Sequence, residues 1–329
     1  MPTHPSRRAL LAGAGAALAL GPRGARAQGS WPDRPVRLIV PFGPGGAVDT
    51  LSRIVANAFP AHAGGQNLVV ENRGGAGGTI AGAFVAQARP DGATLMMADV
   101  GANAIGKLLQ PGLIYDPPTA FTPIIHLVNL PIVIIVRADS PVRTLADLLE
   151  RARARPDGLP YASPGVGHVT HLAPELLARL AGVKLSAVHY RSGADVIRSL
   201  LAGETEFTFP SVSTALPFIR EGKVRPIALG TPRPVPALPE VPAVAAMFPG
   251  FEAMTWHGIV GPAGMDPALV QQIHRVFHAI ITAPEVKSAV ETRQAAEVVA
   301  STPQQFAALI AGDVAKWGPV IREGNIRAE

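Results

Sequence analysis

The sequence predicts an α/β protein of two doubly wound domains joined by a two-strand hinge, on three observations. A strand–turn–helix pattern repeats from residue 34 onward. A second series of the same kind follows a nearly continuous apolar, β-branched stretch at residues 121–137. Ordered patterns then resume at Met254, after a proline-rich stretch at 232–249, so the chain returns to the part it left. Alternating strands and helices favour parallel sheets covered by helices. The expected division is a leader at 1–27, one discontinuous domain of 28–128 with 230–329, and a second of 129–229.

The elements read in order. Residues 36–41 form a short apolar run that ends in Gly43-Pro44-Gly45-Gly46, and 47–58 carry a helical pattern. A strand at 68–71, a glycine-rich turn at 72–78, a helix at 79–88 and a strand at 94–98 come next. The 121–137 stretch is broken at Asn129 and Pro131, which predicts two strands and a crossing between domains. The middle of the chain then offers helices at 144–155, 171–181, 193–202 and 213–221. Its strands are expected at 161–163, 187–190, 206–209 and 224–229. Helices at 267–281, 284–293 and 302–321 close the chain, the last with Thr302 as N-cap and Pro303 at the first helical position. Two crossings between domains make a hinge, an arrangement suited to capture by closure.

Composition narrows the chemistry. Hydrophobic residues are 48% and charged residues 16% of the 329, enough apolar material for a large core. The absence of cysteine excludes disulfides, cysteine nucleophiles and thiolate metal sites. The net charge of +5 is concentrated at Arg7, Arg8, Arg23 and Arg26; beyond residue 27 there are 25 basic and 24 acidic residues. No basic block remains, so a nucleic-acid partner is not expected.

The N-terminus has the three parts of a secretory signal peptide. Arg7-Arg8 precede an apolar run at 9–20, and Ala25-Arg26-Ala27 offers a cleavage site that makes Gln28 the mature start. Twelve apolar residues are too few to span a hydrocarbon core of about 30 Å as a helix. The arginine pair is similar to a twin-arginine signal, except that Ala9 stands where that signal carries a bulky residue.

Two glycine-rich loops join strands to helices: Pro41-Phe42-Gly43-Pro44-Gly45-Gly46-Ala47-Val48-Asp49 and Ser163-Pro164-Gly165-Val166-Gly167-His168-Val169-Thr170-His171. Glycine lets the backbone approach a ligand, and a helix N-terminus offers unpaired N–H groups and a partial positive charge. The first loop fits an anion site, a structural turn or a nucleotide turn. Its spacing is neither G-x-G-x-x-G nor G-K-[ST]. A third such turn, Gly74–Gly78, leads into Thr79.

These residues carry a resemblance. The stretch from Trp31-Pro32 through Val40-Pro41-Phe42, with Pro44-Gly45-Gly46 and Asp49, resembles the Bug-type solute receptors of tripartite tricarboxylate transporters. So do Glu71-Asn72-Arg73, Pro90-Asp91-Gly92, the 163–171 loop, Tyr190-Arg191, Gly222-Lys223-Val224-Arg225 and Trp256-His257-Gly258. The resemblance implies a type II periplasmic-binding-protein fold. It implies a periplasmic, non-catalytic receptor, expected to be a monomer, that takes a small carboxylate without a cofactor and delivers it to integral membrane transporter subunits. Carried over by position, Phe42, Gly45, Gly46 and Asp49 form one side of the site, and Ser163, Gly165, Gly167, His168 and Thr170 the other. Thr79, Tyr190 and the 192–195 turn with Asp195 flank the variable end. Here Gly43, His168 and Asp195 depart from the residues that relatives often carry.

Plainer readings compete at several positions. His168 with His171, and His274 with His278, have metal-ligand spacing but no third ligand; no metal is expected. His171 reads instead as a structural partner of its loop, and His274 and His278 as surface residues of an amphipathic helix. Ser163 with a nearby histidine lacks a G-x-S-x-G elbow, yet a carboxylate-handling hydrolase or transferase stays open as the alternative function, as does a ligand-sensing subunit for a membrane kinase. Asp49 opens a helix and Trp256 suits core packing. Asp195 is either the acid of a capping box with Ser192 or a cleft residue that favours monocarboxylates bearing a donor.

Overall fold

The computed structural model describes residues 31–328 except Arg191. The leader expected at 1–27 lies outside the described residues. Two sheets organise the chain. In the first, β1 (Val36–Val40) leads into helix α1 (Ala47–His62), β2 (Leu68–Asn72) into α2 (Thr79–Ala86), and β3 (Thr94–Ala98) into a π-helical segment, Gly101–Ile105. β1 pairs in parallel with both β2 and β3 and buries four of its five residues, which is why it reads as an apolar run broken only by Arg37.

The eleven-residue β4 (Phe121–Pro131) passes to β5 (Val133–Arg137) through Ile132 alone. The strand therefore continues through Asn129 and Pro131, where the sequence suggested a break. Pro131 sits at its last position, where a missing N–H costs little. β5 belongs to the second sheet, with β6 (Leu159–Ser163), β7 (Leu185–His189), β8 (Phe207–Thr208) and β9 (Val224–Leu229) in the order β7-β6-β8-β5-β9. Its helices are α3 (Leu145–Arg153), α4 (Val169–Ala181), α5 (Gly193–Ala202) and α6 (Val212–Arg220).

The return crossing runs beside the outward one. Gly230 donates its N–H to the Ile132 carbonyl at 2.8 Å and accepts from the Ala253 N–H at 2.9 Å. A Cβ at Gly230 would strike Ile132 and the Ala253 carbonyl, so only glycine lets the two connections lie this close. β10 (Met254–Pro262) then inserts between β3 and β4, antiparallel to both, and β11 (Glu297–Val298) edges the sheet. Both sheets are thus mixed, against the expectation of parallel ones. β10 and β5 enter directly from the other sheet without a crossover helix, and a strand that does so runs antiparallel to its neighbours.

Three helices finish the chain: α7 (Pro267–Thr282), α8 (Pro284–Gln294) and α9 (Pro303–Glu323). α9 starts with the complete capping box of Thr302 and Gln305. It buries Phe306 and Trp317 in a core cluster that also contains Ile39 and Met96 of the first sheet and Ile134 and Tyr161 of the second. Near its end Arg179 of α4 pairs with Glu323 at 2.9 Å. Trp256 is buried in the same cluster, edge to face with Phe306 at 5.3 Å, its indole N–H donated to Asp313. The proline-rich segment after β9 is ordered: the Leu229 N–H reaches the Pro242 carbonyl at 2.8 Å, and Val244 is fully buried.

Candidate functional site

A cavity of about 470 Å³ lies where the carboxyl ends of β1, β6, β7 and β8 meet the helices that follow them. This is the position doubly wound sheets reserve for ligands. Four helix N-termini reach it: α1 at Gly46-Ala47-Val48, α4 at His168 and Thr170, α5 at Ser192-Gly193-Ala194, and α6 at Ser211, Ser213 and Thr214. These helices are 16, 13, 10 and 9 residues long, so each end carries a developed partial positive charge.

The ends differ in what caps them. Ser192 accepts from the Asp195 N–H and Ser211 from the Thr214 N–H. His168 caps α4 through Nδ1, which accepts from the Thr170 N–H at 3.2 Å. At α1 the cap residue is Gly46, and no side chain fills the role. The first turn of α1 therefore gives up no N–H to a side-chain cap, whereas each of the other three ends gives up one.

Asp49 explains how the bare loop holds its shape. Its carboxylate accepts from the Gly45 N–H at 3.0 Å, the Asn72 amide at 2.9 Å and Arg53 Nε at 3.0 Å. The same Asn72 amide reaches the Phe42 carbonyl at 2.9 Å. Burial pushes the Asp49 carboxyl up, and the bonds from Arg53, Gly45 and Asn72 more than offset it, holding the group below its ordinary range. Asp49 is thus a buried brace beneath the loop and does not line the cavity.

The second loop is fixed by a histidine. The Gly167 N–H donates to His171 Nδ1 at 3.1 Å, the structural role the sequence suggested for His171. Burial and the neighbouring His189 and His168 push His171 down to about 3. His168, half-buried, is pushed down to about 4, and His257, which also lines the cavity, to about 3, both chiefly by desolvation. All three are neutral at physiological pH. His257 Nδ1 and Gln294 Oε1, both on cavity-lining residues, are buried without a partner among the described residues.

Of the residues expected at the site, Phe42, Gly45, Gly46, His168 and Thr170 line the cavity, together with Ser192, Gly193 and Ala194 of the 192–195 turn. The others are turned elsewhere, for visible reasons. Ser163 is fully buried and donates to the Gly165 carbonyl at 3.2 Å, its hydroxyl making no hydrogen bond to a histidine among the described residues, and Gly165 serves that turn. Gly167 has φ 79° and packs its α-carbon against Leu109. Thr79 donates to the Ala76 carbonyl at 2.8 Å. Tyr190 donates to Glu204 at 3.0 Å. Asp195 accepts from the Ser192 hydroxyl at 2.7 Å and pairs with Arg198 at 2.8 Å, so it supports the cap but bonds the hydroxyl instead of the backbone N–H of a full capping box.

Sequence reasoning missed one wall. Thr208, Pro210, Ser211, Thr214 and Phe218 come from β8 and α6, and Thr255, His257, Arg293 and Gln294 from β10 and α8. The Ser211–Thr214 hydroxyl cluster had a signal, a serine one residue before a helical pattern. The β10 and α8 residues had none, because they arrive only through the return crossing. His274 and His278 are not in the lining; His274 bonds the Ser301 carbonyl at 3.0 Å and His278 is exposed. Among the described residues no cluster of three metal-ligating side chains occurs.

Two α/β lobes on paired crossings, with a cavity at the carboxyl ends of their strands, define a periplasmic-binding-protein-like receptor. Residues 51–326 match the family model described as the tripartite tricarboxylate transporter family receptor, and the chain belongs to that family. It is similar to a UPF0065 protein from the tcbD-tcbE intergenic region of Pseudomonas sp. strain P51, with 34% identity over 98% of this chain and 96% of that one. Among solved structures it is similar to R. palustris Rpa4515 with adipate, with TM-score 0.84, 32% identity, and 90% and 99% of the two chains covered. MatC from Rhodopseudomonas palustris with bound malate gives TM-score 0.81 and 29% identity over 88% and 100%.

Proposed function

We propose that the chain is a periplasmic receptor that closes its two domains, 28–128 with 230–329 and 129–229, on a small carboxylate. It passes that ligand unchanged to membrane transporter subunits. The carrying observation is the convergence of four helix N-termini on one cavity whose described lining includes no aspartate or glutamate. One of those ends, at Gly46, has no side-chain cap. Such ends favour anions and supply the hydrogen-bond donors. Solved relatives described with adipate and with malate support the same ligand class. Phe42, Gly45, Gly46, His168 and Thr170 are the residues proposed to surround the bound group. The leader is proposed to be removed before Gln28, giving a monomeric mature protein.

Native mass spectrometry of the mature protein, purified from the periplasm, tests this. The expected result is a one-to-one complex with a small organic acid that is recovered unaltered after prolonged incubation. A cognate acid at about 100 times its dissociation constant raises stability by about 2.7 kcal/mol, and its methyl ester does so far less. An acid converted to product would establish the enzyme alternative, and an ester that binds as well as its acid would remove the anion site.

A further inference from the structure

Arg293 is the sole ionised side chain among the described residues lining the cavity. It lies one residue from the end of α8, and the neighbouring Gln294 donates its side-chain amide to the Ala47 carbonyl at 3.2 Å. That bond ties the end of α8 to the first turn of α1, which carries the bare N-terminus. The wall facing it includes Ser213, Thr214, Pro217 and Phe218 of α6. Arg293 is therefore held at the rim between the two lobes.

Its charge has no acid to answer it. No carboxylate among the described residues comes within 4.0 Å of it, whereas Lys287 and Glu291 of the same helix pair with each other at 3.8 Å. Glu285, one α8 residue in the shallow outer groove that Arg293 also borders, makes no such pair. Inside the cavity Asp195 is absent from the lining and already paired with Arg198. The described lining accordingly carries no carboxylate: it holds the helix N-termini of α1, α4, α5 and α6, and the exposed Arg293 at the rim beside α1.

We infer that Arg293 receives a second carboxylate of the ligand, and that the chain therefore selects dicarboxylates over monocarboxylates and over amino acids of the same length. This rests on the carboxylate-receptor reading above. A monoacid leaves the guanidinium bound to water alone. A zwitterion brings its ammonium among helix N-termini and an arginine, with no acid in the described lining to neutralise it. A guanidinium suits the task because its fork can take a carboxylate with two parallel hydrogen bonds.

The test is calorimetry on the mature chain with succinate, glutarate, adipate and pimelate, each against the monoacid of the same length, and with 2-aminoadipate as the zwitterionic probe. At least one diacid is expected to bind about tenfold or more tightly than its monoacid. Arg293→Gln should weaken that diacid by about tenfold or more while the monoacid changes by less than about threefold. Arg293→Lys should recover part of the loss. Unchanged diacid affinity in Arg293→Gln, or monoacids that bind as tightly as diacids, would overturn the role of Arg293 and leave the receptor reading standing. If none of these acids binds while native mass spectrometry recovers another carboxylate that Arg293→Gln binds unchanged, the role of Arg293 falls and the receptor reading stands.

Discussion

Phe42 and His168 meet edge to face, ring centroids 5.6 Å apart and planes at 84°, although one follows β1 of the first sheet and the other opens α4 of the second. The third glycine-rich turn approaches the same loop, since a Cβ on Gly77 would come within 3.1 Å of the Val166 carbonyl. The two loops that the sequence marked as candidates are therefore in contact, and the cavity lies beside that contact.

The aromatic pair should be measurable as a coupling. In a double-mutant cycle of Phe42→Leu and His168→Asn, followed by urea unfolding, the expected interaction is about 0.5–1.5 kcal/mol. Asparagine keeps an acceptor for the Thr170 N–H, so the cap survives. Strict additivity would show that the loops touch without holding each other.

Gly167 and Gly46 look alike in sequence and should behave oppositely. Gly167 has φ 79° with Leu109 where its Cβ would be, so Gly167→Ala adds both backbone strain and overpacking. A loss of about 2–4 kcal/mol is expected, partly recovered when Leu109→Ala is added. Gly46 has φ −82° and open space around its missing Cβ. Gly46→Ala should cost at most about 1 kcal/mol of stability while weakening ligand binding, because its methyl enters the cavity.

His171 predicts a pH dependence. Its folded pKa, about 3, is below the ordinary 6.5. Its contribution to stability is therefore complete above about 6.5 and is lost as pH falls toward the folded value. His168 and His257 act in the same direction. Buried Asp99, pushed up to about 7 by desolvation, acts oppositely: its penalty is present above 7 and disappears on acidification. Wild-type stability should fall between pH 6 and 4. His171→Asn, which keeps an acceptor for Gly167, should reduce that slope by about 1.4 kcal/mol per pH unit. Parallel slopes in urea titrations at several pH values would show that His171 is not a buried neutral group.

Asp195→Asn should lower stability by at most about 1 kcal/mol, since it loses an exposed ion pair and keeps a group for the Ser192 hydroxyl. The order of affinities across a set of acids should not move. A relative gain for dicarboxylates in this variant would place Asp195 in the site after all.

Much of this arrangement was legible because it is local. The strand–Gly–helix junctions at 41–49 and 163–171 announce themselves through backbone requirements, and the first of each pair of elements lands within a few residues of expectation. His171 was readable as a loop partner for the same reason. β10 was harder: Met254–Pro262 is flanked by prolines, and its place between β3 and β4 depends on partners more than 120 residues distant. Thr79 and Tyr190 turn to neighbours outside the lining, and Asp195 sits with Ser192 as in the capping alternative, because sequence position fixes which loop a side chain occupies and not the neighbour it turns toward. Glu204 and Arg198 decide the last two.

Helix α9 follows both sheets in sequence yet belongs to both in packing. Phe306, Trp317 and Ile321 enter the cluster that joins both sheets, and the Ala328 N–H bonds the Leu109 carbonyl at 3.1 Å. Both sheets precede these residues in the chain, so neither can complete the core between the lobes before α9 docks. Trimming α9 by one turn should therefore loosen the whole molecule rather than a peripheral segment.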